Sequence, residues 1–276
     1  MSDPLVQQLP LEFRLMLACL NVSSPERRRP EIEHLVDQHP DWNTFIRESK
    51  RHKVEPQIFG LLNVVEKKAF PEDVRNVLKA RFLRNTKRSM DRIAELVRLI
   101  KLFAQDGIPV ISLKGSPLAL WTYGDVSLRY AGDVDLLVSS EHFKCADRII
   151  QNAGYRNVTS GMRYIDRLQQ LMPDAQYDSD VSRIHIELHW RLTPRKLLTD
   201  PFVDLYGRSE TITIGGFPVP VLAPEDRLLH LLVHGSDHAW FRIRWLCDIA
   251  YIIHRHDTLD WSRINARATA LGLDRV

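Results

Sequence analysis

Two aspartates one residue apart, Asp133 and Asp135, stand in the run Arg129-Tyr-Ala-Gly-Asp-Val-Asp-Leu-Leu-Val138. Alternation in that run predicts a strand with both carboxylates on one face and Val134 and Leu136 on the other. Like charges side by side are costly unless a cation lies between them, and oxygen ligands that leave room for waters and phosphates suit Mg²⁺ or Mn²⁺. The pair is therefore a candidate metal clamp.

Upstream lies Ile111-Ser-Leu-Lys-Gly-Ser-Pro117. An apolar strand from Pro109 to Leu113 ends at Lys114-Gly115-Ser116, and a helical run begins at Pro117. Glycine at such a turn lets backbone N–H groups approach an anion, with the positive end of the next helix behind them. Each motif alone is weak, since turns and solvated acidic pairs are common. Their order within one strand-helix-strand unit is much more specific.

In this combination the chain resembles the nucleotidyltransferase superfamily that includes DNA polymerase beta and the kanamycin-type nucleotidyltransferases. More narrowly, Leu113-Lys-Gly115, Arg129, Asp133-Val-Asp-Leu-Leu-Val138, Leu188-His-Trp190 and Arg244-Trp-Leu-Cys-Asp248 are similar to a bacterial group of largely uncharacterised nucleotidyltransferases. That narrower likeness covers most of the chain. The interval from Gly115 to Asp133 is a few residues longer than the commoner superfamily spacing, so the helix or its following loop must be extended. The resemblance implies an α+β fold. A small mixed β-sheet core at 107–222 would be flanked by helical regions at 1–106 and 223–276, and the last reads as ending in mid-helix. It also implies that Asp133 and Asp135 hold Mg²⁺ or Mn²⁺, and that Gly115-Ser116 binds the β/γ-phosphates of a nucleoside triphosphate. Lys114 and Arg129 would neutralise phosphate charge, one as a point charge and the other as a fork.

Arg183-Ile-His-Ile-Glu-Leu-His-Trp190 alternates strictly, with Ile184, Ile186, Leu188 and Trp190 facing a core and His185, Glu187 and His189 the other side. In the resembling arrangement a third carboxylate on a neighbouring strand completes the metal site and accepts the proton of the attacking hydroxyl, a place Glu187 fits. The resembling enzymes usually carry aspartate there. A rival reading has His185, Glu187 and His189 ligating zinc or iron. Ligands at i, i+2 and i+4 of one extended strand are spread too far to converge easily, so that reading ranks lower.

The rest of the pattern is mainly helical. Runs are predicted at Leu9–Val22, across 30–62 with breaks, and at 71–105, where Lys79, Arg81, Arg84, Lys87, Arg88 and Arg92 crowd the first part. A helix follows Ser139, a polar loop spans Ser160–Ser182 with its acids solvated, and Gly215-Gly216 turns a hairpin. Pro224 opens another helix carrying His230, His234 and His238, which Gly235-Ser236 is expected to interrupt. From Trp240 to Ile253, spacing predicts Trp245, Leu246, Ile249, Ala250 and Ile253 as the buried side. Arg242, Arg244 and Asp248 are left for a polar network or substrate contact, and His189 and His234 are further substrate candidates.

With 276 residues, 44% of them hydrophobic, the chain can bury a substantial core, and a net charge of +3 neither requires nor excludes an anionic substrate. Cys19, Cys145 and Cys247 follow no metal spacing and read as reduced thiols in a cytoplasmic protein. Met1–Pro10 shows no basic region followed by an apolar stretch, and no run is long enough to span a bilayer, so neither secretion nor membrane insertion is expected. The expected activity is transfer of a nucleoside monophosphate from a nucleoside triphosphate to a hydroxyl or phosphate acceptor in a biosynthetic setting. No aromatic-and-basic RNA platform stands out, so a small molecule or peptide is preferred over nucleic acid. An inactive nucleotide-binding module on the same fold is the alternative, which three intact carboxylates argue against.

Overall fold

The computed structural model of the chain describes residues 4–62, 70–159, 173–193 and 200–273. Helices α1 (Pro4–Gln7), α2 (Leu11–Leu20), α3 (Pro25–Val36), α4 (Trp42–Arg51) and α5 (Glu55–Leu62) lead into α6 (Glu72–Gln105). At 1.5 Å per residue α6 is about 50 Å long. Then follow β1 (Ile111–Ser112), α7 (Gly115–Tyr123), β2 (Val134–Leu137), α8 (Phe143–Asn152), β3 (Arg156–Asn157), β4 (Asp174–Asp178) and β5 (His185–His189). The chain continues through α9 (Phe202–Gly207), β6 (Glu210–Ile214), β7 (Phe217–Val221), α10 (Pro224–Asp237), α11 (Ile243–Arg255) and α12 (Trp261–Ala270). This is the α+β architecture with a mixed sheet that the sequence implies. Among the described residues no helix is long and apolar enough to cross a membrane.

The seven strands lie in the order β3-β4-β5-β2-β1-β7-β6. The central pair, β2 and β5, is parallel, while β1 and β4 on either side run antiparallel to their inner neighbours. One sheet face rests on the second half of α6 and on α8: Ile93, Leu96, Ile100 and Phe103 meet Leu136, Ile186, Leu188 and Phe143. Leu118 of α7, Leu228 of α10 and Ile264 of α12 form a second core with Ile111 and Leu137. A third core joins the N-terminal helices to Val74 and Leu78 of α6 and to Ile243 and Cys247 of α11. Helix α6 thus belongs to two cores, and the N-terminal helices reach the helix that follows the sheet.

Three local expectations are corrected. Part of the predicted loop, residues 174–178, forms β4, paired on both sides, with Asp174 buried and Asp178 bonded to His185 at 2.7 Å. Only Ala175 and Tyr177 supply apolar alternation there, so the strand depends on its partners rather than its own pattern. The remainder of that loop prediction, residues 160–172, lies outside the described residues. In α11 the buried side carries Arg244, Trp245, Cys247, Asp248 and Ile252, whereas Leu246 and Ile253 are about half exposed. A buried ion pair to another element turned the helix away from its most apolar face.

The third correction concerns α10, which passes through Gly235 and Ser236 unbroken. The Trp240 ring lies where a Cβ on Gly235 would stand, so glycine serves a close approach rather than a helix break. Gly235→Ala is expected to cost about 1–3 kcal/mol by overpacking. Thermal melting checks this, and Ser236→Ala, free of that contact, should change far less.

Asp200, Arg208, Asp226 and Arg267 tie α9, α10 and α12 together. Arg208 contacts both aspartates at 2.9 and 2.5 Å, and Arg267 contacts both at 3.0 and 2.7 Å. Burial raises the Asp200 carboxyl, but Arg267 and Arg208 outweigh it and hold it below the usual carboxylate range. A depressed native pKa gives stability that is present above the unfolded value near 4 and lost as pH falls through the native value. Asp200→Asn is therefore expected to lower stability by roughly 0.5–1 kcal/mol at pH 7, screened by partial exposure. The difference from wild type should shrink below pH 4 in melts across pH.

Candidate active site

Strand register brings the carboxylates together. Asp135 of β2 is paired with Glu187 of β5 in a parallel ladder, so both side chains leave the same sheet face. His189 follows two residues later on that face. One ligand atom each from Asp135, Glu187 and His189 lie within 4.8 Å of one another. Asp133 precedes β2 and lines the same cleft, but stands outside that tight set. His185 turns to Asp178, so the His185-Glu187-His189 set is not assembled on one point.

Lys114 enters from the end of the β1 segment. Its Nζ lies 2.9 Å from Asp135 Oδ1 and 3.9 Å from Glu187 Oε2. His189 Nε2 lies 3.4 Å from Glu187 and 3.7 Å from Asp135, and neither of its buried ring nitrogens has a hydrogen-bond partner. Burial raises the Asp135 carboxyl, yet Lys114 and His189 outweigh it and hold it well below the usual range. Burial and the neighbouring Asp135 push Glu187 up. For His189, burial opposes charge, but Asp135 and Glu187 lift it to about 9. Two monocations thus gather where a single divalent ion would supply the same charge. The carboxylate oxygens fit a hard cation, and an ion that displaced the His189 proton would find there a nitrogen donor that Mn²⁺ accepts.

The turn expected to seat phosphates takes its shape from Gly115, the first residue of α7, at φ +71°. A Cβ there would meet the Asp133 carbonyl at 3.3 Å, so glycine lets the turn and the acidic strand approach each other. Gly115 and Ser116 share a small recess with Asp133, Asp135, Ser112 and Arg92. Arg92 is the one residue of the predicted basic stretch found in that recess, its Nε donating to the Gly132 carbonyl.

Arg129 lines the cleft while its Nε holds both Asp248 oxygens at 3.0 and 3.1 Å. Tyr123 O–H donates to Asp248 at 2.8 Å, and Asn85 fastens the 127–131 loop through Ser127, Arg129 and Ala131. Arg129 and Asp248 are thus joined to each other, and Arg244 lies beside them. The main cleft, about 630 Å³, also takes in His230, His234 and His238 of α10. Burial pushes His230 down to about 3 and lowers His234, so both stay neutral.

Sequence reasoning missed Lys53 and left Arg242 without a specific role, though both line this cleft. Lys53 sits in the turn between α4 and α5, far along the chain from every motif. Only the packing of the N-terminal helices on α11 discloses it.

Residues 38–276 match the family described as uncharacterised nucleotidyltransferase. Among curated proteins, none matches the chain. Solved structures with similarity include the lincosamide antibiotic adenylyltransferase LnuA bound to lincomycin, at 13% identity over 58% of this chain and 94% of that one, with TM-score 0.39. ANT(2")-Ia in complex with adenylyl-2"-tobramycin gives 12% identity over 65% and 96%, with TM-score 0.46. An antigenic nucleotidyltransferase-like protein from Paracoccidioides brasiliensis gives 15% over 67% and 88%, with TM-score 0.42.

Proposed function

Because the chain belongs to the uncharacterised nucleotidyltransferase family, we propose that it moves a nucleoside monophosphate from a nucleoside triphosphate to the hydroxyl of a small acceptor. The observation that carries this reading is the in-register meeting of Asp135 and Glu187 beside the Gly115 turn. Asp133, Asp135 and Glu187 would hold Mg²⁺ or Mn²⁺, with His189 alongside. When bound, such an ion lowers the pKa of an attacking hydroxyl and neutralises charge on the leaving pyrophosphate.

The chain's own groups do the remaining work. Gly115 and Ser116 offer the β/γ-phosphates backbone donors and a hydroxyl at the start of α7. Lys114 and Arg92 supply positive charge to the phosphates, and Arg129, fixed by Asp248, shapes the wall behind them. Glu187, its proton affinity raised by burial, accepts the acceptor's proton. His234, Arg244 and Arg129 border the acceptor side, whereas Asp248, buried behind Arg129, positions that guanidinium rather than meeting the substrate. A nucleoside triphosphate donor and three free cysteines accord with a cytoplasmic setting.

The test is label transfer. Each α-labelled nucleoside triphosphate is incubated with the protein, Mg²⁺ or Mn²⁺ and a low-molecular-weight cell extract. Label should appear in a new small compound with pyrophosphate released, and chelation should stop it. Pyrophosphate-free hydrolysis, or transfer unaffected by chelation, would count against the reading.

A further inference from the structure

Three cations converge on the cleft from elements outside the sheet. Lys53 occupies the turn after α4 with φ of 56°, and Arg242 and Arg244 flank the first residue of α11. The Ile243 N–H donates to His52 Nδ1 at 3.2 Å, which fixes the start of α11 against that turn. Arg244 is nine-tenths buried, and its Nε and that of Arg242 are buried without a hydrogen-bond partner. Lys53 has the Tyr130 ring 4.6 Å away. Among the described residues none of the three forms an ion pair, because the buried carboxylate beside them, Asp248, is held by Arg129 at 3.0 Å.

Like charges gathered in a partly buried place with no carboxylate paired to them directly are unfavourable unless an anion completes them. Burial, Arg244 and Arg242 together press Lys53 down to about 8 against the pull of Asp133, and burial with Arg129 presses Arg244 to about 10 against that of Asp248. The donor's phosphates have a different seat. The recess at Gly115 and Ser116 is lined by Arg92 and Lys114, and none of Lys53, Arg242 and Arg244 belongs to it. Beside the three cations stands an aromatic wall: Trp245 with His238 stacked on it at 5.1 Å and Phe241 edge-on at 4.9 Å.

We propose that Lys53, Arg242 and Arg244 form a subsite for an anionic group, phosphate or carboxylate, carried by the acceptor. The acceptor is then a small hydroxyl compound that bears such a group. This inference rests on the nucleotidyltransferase reading above. In the transfer, the acceptor hydroxyl oxygen bonds to the α-phosphorus, and the bond from that phosphorus to the bridging oxygen breaks. The electron pair leaves on pyrophosphate, and the hydroxyl proton passes to Glu187. The acceptor's anionic group stays unreacted in the corner and fixes which hydroxyl faces the donor.

The experiment is calorimetry on the full chain saturated with Mg²⁺ and a non-hydrolysable nucleoside triphosphate analogue, titrated with inorganic phosphate or, in a parallel arm, acetate. One of the two anions should bind saturably to wild type, and the tighter names the group. Arg244→Met and Lys53→Met should each weaken it at least ten-fold while the analogue's own affinity moves less than two-fold. Neither should melt below wild type, since neither side chain has an ionic partner to lose. No anion binding to the loaded protein, or binding that both variants leave intact, overturns the subsite. A ten-fold loss of analogue affinity assigns the corner to the donor triphosphate and overturns it equally, as does a melting temperature that falls in both variants. If the analogue itself fails to bind wild type, the nucleotidyltransferase reading fails and the subsite with it.

Discussion

Asp135→Asn is expected to lower nucleotidyl transfer by about 10³-fold or more, equivalent to roughly 4 kcal/mol of barrier. The substitution keeps the side chain's size but removes the charge that faces Lys114 at 2.9 Å and lies opposite Glu187 in the ladder. A neutral amide holds a divalent ion poorly, and its NH₂ group would face the Lys114 ammonium. Loss of activity should come without loss of fold, because the apolar face of β2 is untouched. Asp178→Asn provides the comparison. Asp178 pairs with His185 away from the three-residue cluster, so its loss should change transfer by less than about ten-fold. Equal losses in the two variants would remove Asp135 from the centre of the chemistry.

The second large effect is on stability. Asp248→Ala is expected to cost about 3–5 kcal/mol, because it leaves the Arg129 guanidinium buried without its partner. In a chain of this size that corresponds to a drop of about 6–20 °C in melting temperature. Tyr123 loses its acceptor as well, and Gln57 Nε2, 3.4 Å from the Tyr123 oxygen, is the next link. The double variant Arg129→Met/Asp248→Ala should regain a large part of the loss, since no buried charge is then unmatched. Additive losses in the double variant would show that the two residues act separately.

Which of these features the sequence discloses follows from the range of the interaction. Asp135, Glu187 and His189 were readable because a strand's two-residue period decides which side chains share a face. Gly115 was readable because a strand-to-helix turn needs it. The pairing of Asp135 with Glu187 was not readable from period alone and came through the resemblance. Beyond that range local pattern fails. The helix at Ile243–Arg255 buries Arg244 and Asp248 and exposes Leu246, because Arg129, 119 residues from Asp248, satisfies the carboxylate. Gly235 reads as a helix break until the Trp240 ring is seen against it. Lys53 carries no motif, and its place at the cleft comes from His52 accepting the Ile243 N–H across 191 residues. β4 has too little apolar alternation to announce itself, and its register with β5 supplies what its sequence lacks.

A nucleotide and metal site built on Asp133 and Asp135 makes nucleotide binding depend on both carboxylates and on the ion. Calorimetric titration of each Mg²⁺-nucleoside triphosphate into wild type and into Asp133→Asn/Asp135→Asn, with circular dichroism confirming that both are folded, tests it most directly. The expected result is saturable binding of at least one nucleoside triphosphate to wild type that disappears when magnesium or both aspartates are removed. A folded wild-type protein that binds none of them, or binding that survives loss of both carboxylates, would contradict the claim.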